Sequence, residues 1–423
     1  MKKSLTVFLT FILTFTIFKT SLSQDTVKIM TYNLLFYNLN SDPRDYYFRK
    51  TILATQPDII VVQEIEFQSV INNFLNNVLN YYTPGLYKAG TFIDGPNLDR
   101  ALFYKSAKFN FVINSPIPTP GGRDINAFMV QHISTNKQLI LFGLHLKAGS
   151  NPSDQQQRVA EVNTLRGFTN TLNTGTDFIV LGDFNIYGSY EVAYQNLLQV
   201  QSQNEGHFLD PLNLSGTWNN SNYRYYHTQS TRRRSFGGGS TGGLDDRFDM
   251  ILYSKSISEP GGITYIPNSL TPYGNDGNHY NDSINERPNT AVPDSIADAL
   301  HYASDHLPVY SLFEIKQGSS VKQISSIIPE KYNLYQNYPN PFNPVTKIRF
   351  DVPAGGSSEV KLIVYDILGD EVDVFVNEKL APGSYEVDWP APTGDASGYS
   401  TGVYFYRMVT DDILLTKKML LIK

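Results

Sequence analysis

The sequence predicts a layered α/β domain over residues 24–315, followed by a small all-β sandwich over residues 332–423. Three observations carry this prediction. Up to residue 315, short apolar β-rich runs alternate with longer segments whose apolar residues recur at helical spacing. Beyond residue 331, β-rich runs are separated by Gly and Pro turns with no helical pattern. Between the two, KQGSSVKQISSIIPE is polar and weakly patterned, which places a linker over residues 316–331.

The elements follow in chain order. MKKSLTVFLTFILTFTIFKTSLSQ carries Lys2 and Lys3, an apolar run from Leu5 to Phe18, and Ser21-Leu22-Ser23; this is a secretory signal peptide over residues 1–23, cut after Ser23. The run is short for a bilayer span and no other apolar stretch reaches that length, so the mature chain is expected to have no transmembrane segment. The expected strands of the first domain are VKIMTYNLL, DIIVVQEI, ALFYK, AFMVQHI, LILFGLHL, DFIVLGDFN, DMILYS and PVYSLFEI, with helices expected over 45–55, 67–80 and 153–173. The loops at 237–243 and 267–290 read as the least ordered parts. In the second domain VTKIRFDVP, EVKLIVYDILG, SYEVDWPAP, VYFYRMVT and LLTKKMLLIK read as strands.

Composition narrows the function. Of 423 residues, 41% are hydrophobic, ample for two cores. Lys and Arg number 34 against 40 acidic residues, a net charge of -6, so bulk electrostatics does not grip nucleic acid and any phosphate recognition must be local. With no cysteine the chain has neither disulfide nor thiolate metal site. Metal ligands, if any, are oxygens and imidazoles.

Several expected strands end in polar groups that a buried strand does not need: Asn33, Glu64, His145, Asp183 with Asn185, Asp249, and Asp305 with His306. Burying an unpaired carboxylate costs several kcal/mol, so these groups call for a partner, a metal or a solvent-filled cleft. In open α/β sheets ligands bind beyond strand ends, so the segments can converge on one site. Carboxylates, amides and two histidines without Cys suit Mg²⁺, Mn²⁺ or Ca²⁺ better than Zn²⁺. In an extended strand, Asp183 and Asn185 would face the same side while Phe184 points into the core.

The series IMTYNLL, DIIVVQEI, FGLHL, VLGDFN, DDRFDMIL and SDHLPV, in that order, resembles the motifs of the endonuclease/exonuclease/phosphatase superfamily, which includes deoxyribonuclease I and abasic-site endonucleases. The resemblance implies a four-layered sandwich of two packed β-sheets flanked by helices, and phosphoester hydrolysis with a divalent metal, Mg²⁺ foremost. It implies that Glu64 is the principal metal ligand, with Asn33 completing or supporting that metal site and Asp305 at or near a metal. It implies that Asp183 orients water, that Asn185 holds a phosphate oxygen, and that His306, held in tautomer by Asp249, stabilises the transition state or shuttles a proton. His145 falls on the leaving-group side, and Arg123 resembles an arginine that touches a phosphate beside the cleft. Asp99 with Arg100 lies where nuclease members pair the first histidine, but the spacing is not clean and the role stays open. Asp249 has Arg247 as an alternative, structural partner. Arg232, Arg233 and Arg234 offer a mobile phosphate clamp or a solvated loop, and Trp218, Tyr223, Tyr225 and Tyr226 are expected to pack the loop rather than stack on bases.

The C-terminal YPNPFNP, VKLIVYDILGDEV and GVYFYRM resemble the type IX secretion sorting domain of Bacteroidota, with a sandwich similar to the immunoglobulin-like flagellar-hook-capping module. The prolines of YPNPFNP forbid regular structure there. This implies export past the outer membrane by that machinery and release or surface attachment, as opposed to a stalk or carbohydrate-binding module. The sequence therefore leads to the expectation of a secreted, monomeric, metal-dependent phosphodiesterase acting on DNA or RNA. The alternatives are a sphingomyelinase-like or small-molecule phosphoesterase, and a catalytically silent surface-binding protein.

Overall fold

In the computed structural model the residues described are 24–39, 42–259, 262–316, 321–355, 359–389, 399–410 and 413–422. The expected signal peptide lies outside them. The chain divides into two compact units, with the change between residues 318 and 319.

The first unit holds two β-sheets. Strands β1 (Gln24–Tyr37), β2 (Ile59–Ile65), β3 (Tyr87–Ala89), β4 (Asp99–Lys105), β11 (Ile263–Tyr265), β12 (Thr271–Pro272) and β13 (Val309–Lys316) make one sheet, in the order β11-β13-β1-β2-β4-β3 with β12 also on β13. Strands β5 (Phe109–Ile117), β6 (Ile125–His132), β7 (Gln138–His145), β8 (Phe178–Asp183), β9 (Phe208–Leu209) and β10 (Asp249–Ser254) make the other, in the order β5-β6-β7-β8-β10-β9. At the centre of each, two strands run parallel, β1 with β2 and β7 with β8, and β13 and β10 flank them antiparallel.

Side-chain alternation sorts each central strand into two faces. Ile29, Val61, Leu141, Leu181 and Ile251 meet in one core shared by both sheets. Met30, Ile60 and Val62 face the helices α1 (Asp42–Thr55) and α2 (Gln68–Phe74). Phe142, Val180 and Leu252 face α3 (Pro152–Thr169) and α4 (Val192–Leu198). The result is the expected layering of helices, sheet, sheet and helices.

The expected helices over 45–55, 67–80 and 153–173 correspond to α1, to α2 with its π-helical continuation Leu75–Leu79, and to α3. Helices α4 and α5 (Asp294–Ala303) are not among the expected helices, although Ala297, Leu300 and Ala303 recur at helical spacing in α5 and are buried. Part of the expected linker, Lys322–Ser325, is a strand: it pairs with β19 (Gly383–Trp389), so its polar pattern reflects an exposed edge and not a free connection.

The second unit consists of two four-stranded sheets. One is ordered β14-β19-β16-β15, with β14 at Lys322–Ser325, β15 at Asn333–Leu334 and β16 at Thr346–Val352. The other is ordered β18-β17-β20-β21, with β17 at Glu359–Tyr365, β18 at Glu371–Lys379, β20 at Gly402–Val409 and β21 at Leu414–Leu421. They enclose a core that includes Phe350, Leu362, Trp389 and Tyr406. Strand β18 was not among the expected strands.

Candidate active site

The candidate site is the polar end of the core between the two sheets. On β1 the inward row runs Ile29, Thr31, Asn33; on β7 it runs Leu141, Gly143, His145; on β8, Ile179, Leu181, Asp183; and on β10, Asp249 precedes Ile251 and Tyr253. Each row is apolar where it is flanked on all sides and becomes polar at the same rim. Asp183 and Asp249 are register partners across β8 and β10, and His145 and Asp183 across β7 and β8.

Glu64 reaches this rim by an irregularity. Strict alternation would send it to the helix-facing side with Ile60 and Val62, but the pairing of β2 shifts between Gln63 and Ile65, and Ile65 takes that apolar place instead. Glu64 itself has φ 60, a left-handed conformation rarely adopted by a non-glycine residue. Such a bulge re-aims a side chain next to a functional site.

The carboxylates are held by a small amide network. Asn33 Nδ2 donates to Glu64 Oε1 at 3.0 Å and to Asp183 Oδ2 at 3.2 Å, while Asn33 Oδ1 accepts from Leu35 N at 3.0 Å. Glu64 Oε2 accepts from Phe36 N at 2.9 Å. Asn33 thus presents its N–H groups to the site, with its oxygen engaged by the backbone: it bridges two carboxylates and does not offer them a rival metal oxygen. Asp183 Oδ1 accepts from Asn185 N at 3.0 Å, and Asn185 Nδ2 donates to Leu146 O at 3.1 Å. Strand alternation does not extend past Asp183. Strand β8 ends at Asp183 and Asn185 has φ 50, so the two side chains share the cleft through an Asx-type turn, with Phe184 buried in the core on the helix side.

The two imidazoles differ. His306 Nδ1 lies 2.7 Å from Asp249 Oδ2, both groups buried, and its Nε2 faces Asp183 Oδ2 at 3.7 Å. Arg247, the alternative partner of Asp249, is instead bound through two nitrogens to Asp210, each at 2.9 Å. Burial disfavours the charge on His306, but Asp249, Asp305 and Asp183 outweigh it and hold the imidazolium well above its usual range. His145 Nε2 lies 3.6 Å from Asp183 Oδ2 and 3.9 Å from Glu64 Oε1. Burial, with Arg123, Arg100 and His306 nearby, keeps His145 neutral to well below its usual range. Its Nδ1 is buried without a hydrogen-bond partner; Asp99, which accepts from Gly95 N at 3.0 Å, does not supply one. Burial raises the carboxyl groups of Asp183 and Glu64, in each case against the pull of His306.

Asp305 lines the same cleft. Its Oδ2 accepts from Ser240 N at 2.6 Å, and its Oδ1 is buried without a partner. The Gly-rich loop expected to be poorly ordered is therefore part of the site. Gly239 has φ 80, and a Cβ there would come within 2.6 Å of Asp305, so only glycine lets the backbone approach so closely. The cleft has a volume of about 280 Å³.

Other expected residues do not line the cleft itself. Arg123 Nη1 donates to the carbonyls of Leu146 at 3.0 Å and His145 at 3.4 Å, bracing the end of β7. Arg232 is fully buried and donates to the carbonyls of His301, Phe236 and Gly238, which excludes a mobile clamp at that position; Arg233 is exposed beside Asp282 and Arg234 is exposed. Trp218 is buried and packs on Tyr194. The sequence reading missed Gln229, whose amide sits 2.6 Å from His306 Nε2, and Ser304, whose Oγ donates to Asn33 O and accepts from His306 N. Ser304 stands within the SDH run, whereas Gln229 lies in a loop with no local signal.

Among the described residues no three His, Asp or Glu side chains form a ready-made metal centre. The donor chemistry nevertheless fits a hard cation that uses one or two carboxylates and leaves its other positions to water and phosphate. Glu64 and Asp305 are oxygen donors in one cleft, and Asp305 Oδ1 is a buried acceptor with nothing to accept from.

Residues 30–306 match the Endonuclease/Exonuclease/phosphatase family model, and residues 336–423 match the Secretion system C-terminal sorting domain. No curated protein matches the sequence. Similar solved structures include D. rerio TDP2 complexed with single strand DNA product, at 16% identity and TM-score 0.46, covering 68% of this chain and 98% of that one. The human Nocturnin catalytic domain with bound sulfate is similar at 18% identity and TM-score 0.44, covering 69% and 97%. A family protein from Bacteroides thetaiotaomicron is similar at 15% identity and TM-score 0.42, covering 70% and 99%.

Proposed function

The chain belongs to the endonuclease/exonuclease/phosphatase family, is a phosphoester hydrolase and carries a secretion sorting domain, and from that premise we propose that it is an extracellular metal-dependent phosphodiesterase, an endonuclease hydrolysing DNA or RNA. The observation that carries this reading is the convergence of Asn33, Glu64, His145, Asp183, Asp305 and His306 on one cleft from distant parts of the chain. The sorting domain marks the chain for secretion or cell-surface attachment, through the type IX machinery in this reading. Among the described residues no helix is long and apolar enough to cross a membrane.

Phosphodiester hydrolysis needs an activated water, neutralised phosphoryl oxygens and help for the leaving alkoxide. Asp183 Oδ2 faces both imidazoles and is placed to accept the proton of an attacking water, with Asn33 and the Asn185 N–H fixing its carboxylate plane. One N–H of the Asn185 amide is spent on Leu146 O, and the other is left for a phosphoryl oxygen. His306, positioned by Asp249, offers Nε2–H to the charge that develops in the transition state, and His145 lies on the leaving-group side. Arg123 holds the carbonyls of His145 and Leu146 in place through Nη1 and, in this reading, touches a phosphate beside the cleft. A divalent cation, Mg²⁺ in this reading with Mn²⁺ or Ca²⁺ as alternatives, would be held by Glu64 and Asp305 with Asn33 in support, and supplies positive charge to the phosphoryl oxygens when bound.

The test uses the mature chain with Mg²⁺, Mn²⁺ or Ca²⁺ on plasmid DNA, RNA, sphingomyelin and a phosphomonoester in parallel. Cleavage of nucleic acid, abolished by EDTA and lowered about a hundredfold or more by Glu64→Gln, is expected. EDTA-insensitive cleavage overturns the metal assignment, and turnover confined to sphingomyelin or the phosphomonoester transfers the assignment to a lipid or small-molecule phosphoesterase. A catalytically silent scaffold has no physical need to keep so many buried polar groups at one rim.

A further inference from the structure

Phe36 combines features that core packing does not explain. Its side chain is 56% exposed although it borders the catalytic cleft. Its backbone is pinned on both sides: the N–H donates to Glu64 Oε2 at 2.9 Å, and the carbonyl accepts from Asn38 Nδ2 at 3.0 Å. Leu35 and Phe36 have φ 50 and 48, consecutive left-handed residues without a glycine. A large aromatic pays strain to stand there, and strain of this kind collects at ligand-contacting positions. No neighbouring aromatic ring stacks on it among the described residues, whereas Phe48 and Phe74 of the adjacent core pack edge to face with Tyr37.

The cleft decides what the exposed ring meets. At about 280 Å³ the cleft is small and opens to solvent, so the groups on either side of a bound phosphodiester extend over its rim. Whatever the phosphate carries must leave over the rim, and on the Glu64 side that rim is Phe36. Resting on the nuclease reading above, we propose that Phe36 is a specificity-determining residue whose ring stacks on the base next to the scissile phosphate, and that the preferred substrate is single-stranded or locally unpaired nucleic acid. A base held in a duplex has its faces covered by its neighbours, whereas an unpaired base offers a face to an aromatic platform. A membrane role suits the ring less, because interfacial anchoring relies on a broad apolar face and Phe36 stands at the cleft wall.

The test compares the full mature chain with Phe36→Ala, Phe36→Tyr and Phe36→Leu on dinucleoside monophosphates, deoxyribose and ribose, and on analogues lacking one base or the other. With both bases present, Phe36→Ala raises KM about 5- to 150-fold. That penalty disappears on one of the two analogues, Phe36→Tyr restores the parent value and Phe36→Leu does not. Phe36→Ala and Phe36→Leu also narrow the parent's preference for single-stranded over duplex oligonucleotides, and Phe36→Tyr keeps it. Equal penalties on both analogues, full rescue by Leu, or a defect seen only on phospholipid vesicles overturn the stacking role. If the parent hydrolyses neither dinucleotides nor oligonucleotides, the nuclease reading falls and this inference with it; if the parent hydrolyses them and Phe36→Ala matches it, the inference alone falls.

Discussion

Replacing Asp249 with Asn separates the chemistry of His306 from the stability of the site around it. Asp249 Oδ2 lies 2.7 Å from His306 Nδ1, with both side chains at most 2% exposed. A charge-assisted hydrogen bond of this kind is worth about 1.5–3 kcal/mol net, which corresponds to about 10- to 150-fold in kcat/KM if the bond supports the transition state. Asn keeps the shape and the backbone N–H contact to Thr228 Oγ1 at 3.1 Å; its oxygen can still accept from His306 Nδ1–H as a neutral partner, and it removes the buried negative charge while placing an amide NH2 where Oδ1 has no partner. Loss of the buried charge offsets part of the weakened bond, so the thermal midpoint of Asp249→Asn is expected to stay close to the parent's while turnover falls. The assay is steady-state cleavage of a fluorescent oligonucleotide with calorimetry on the same preparation. A kcat/KM within about threefold of the parent, with the fold intact, refutes the assignment of Asp249 as the positioning partner of His306.

Two further outcomes probe the frame around the site. Gly182 has φ 146, and a Cβ there would lie 2.0 Å from Leu144 O on the neighbouring strand. Gly182→Ala must therefore part β7 from β8, and a loss of about 3 kcal/mol or more in denaturant unfolding is expected; an unchanged midpoint would show that the strands can separate freely. In the 267–290 loop, burial works against ionisation of Asp276, but the N–H groups of Thr290 and Asn278 and the His279 ring prevail and hold its carboxyl at about 2. A lowered folded-state value means stability that is present above the ordinary carboxylate range and lost as pH falls from about 4 towards 2. The loss should be about 1–2 kcal/mol, visible as faster amide exchange over this loop and absent in Asp276→Asn.

The loops show where local sequence misleads. The 237–243 loop is almost all Gly and the 267–290 loop is rich in Asn, Gly and Asp, and composition alone marks both as unstructured. The first places Ser240 N on Asp305, 65 residues away, and the second is tied together within itself by Asp276 and His279, so neither loop is the free connection its composition suggests. Likewise Arg232 reads as an exposed cation within an arginine run, yet it is buried against three carbonyls.

By itself the sequence determined the two-domain order, the central strands, three of the helices and the identity of the polar strand ends. Those depend on periodicities of two and 3.6 residues and on the cost of placing a carboxylate or amide at the end of an apolar run, both local properties. Only the tertiary structure decided how those ends are used. It turned Glu64 inward through a bulge, gave the oxygen of Asn33 to the backbone and its N–H groups to two carboxylates, brought Gln229 and Ser304 to His306, and left Phe36 bare beside the cleft. The Asn33 bridge from Glu64 to Asp183 and the contact of Gln229 with His306 join segments dozens to hundreds of residues apart at the rim between two sheets, and the strength and direction of such buried polar contacts depend on that meeting and not on the neighbours in the chain.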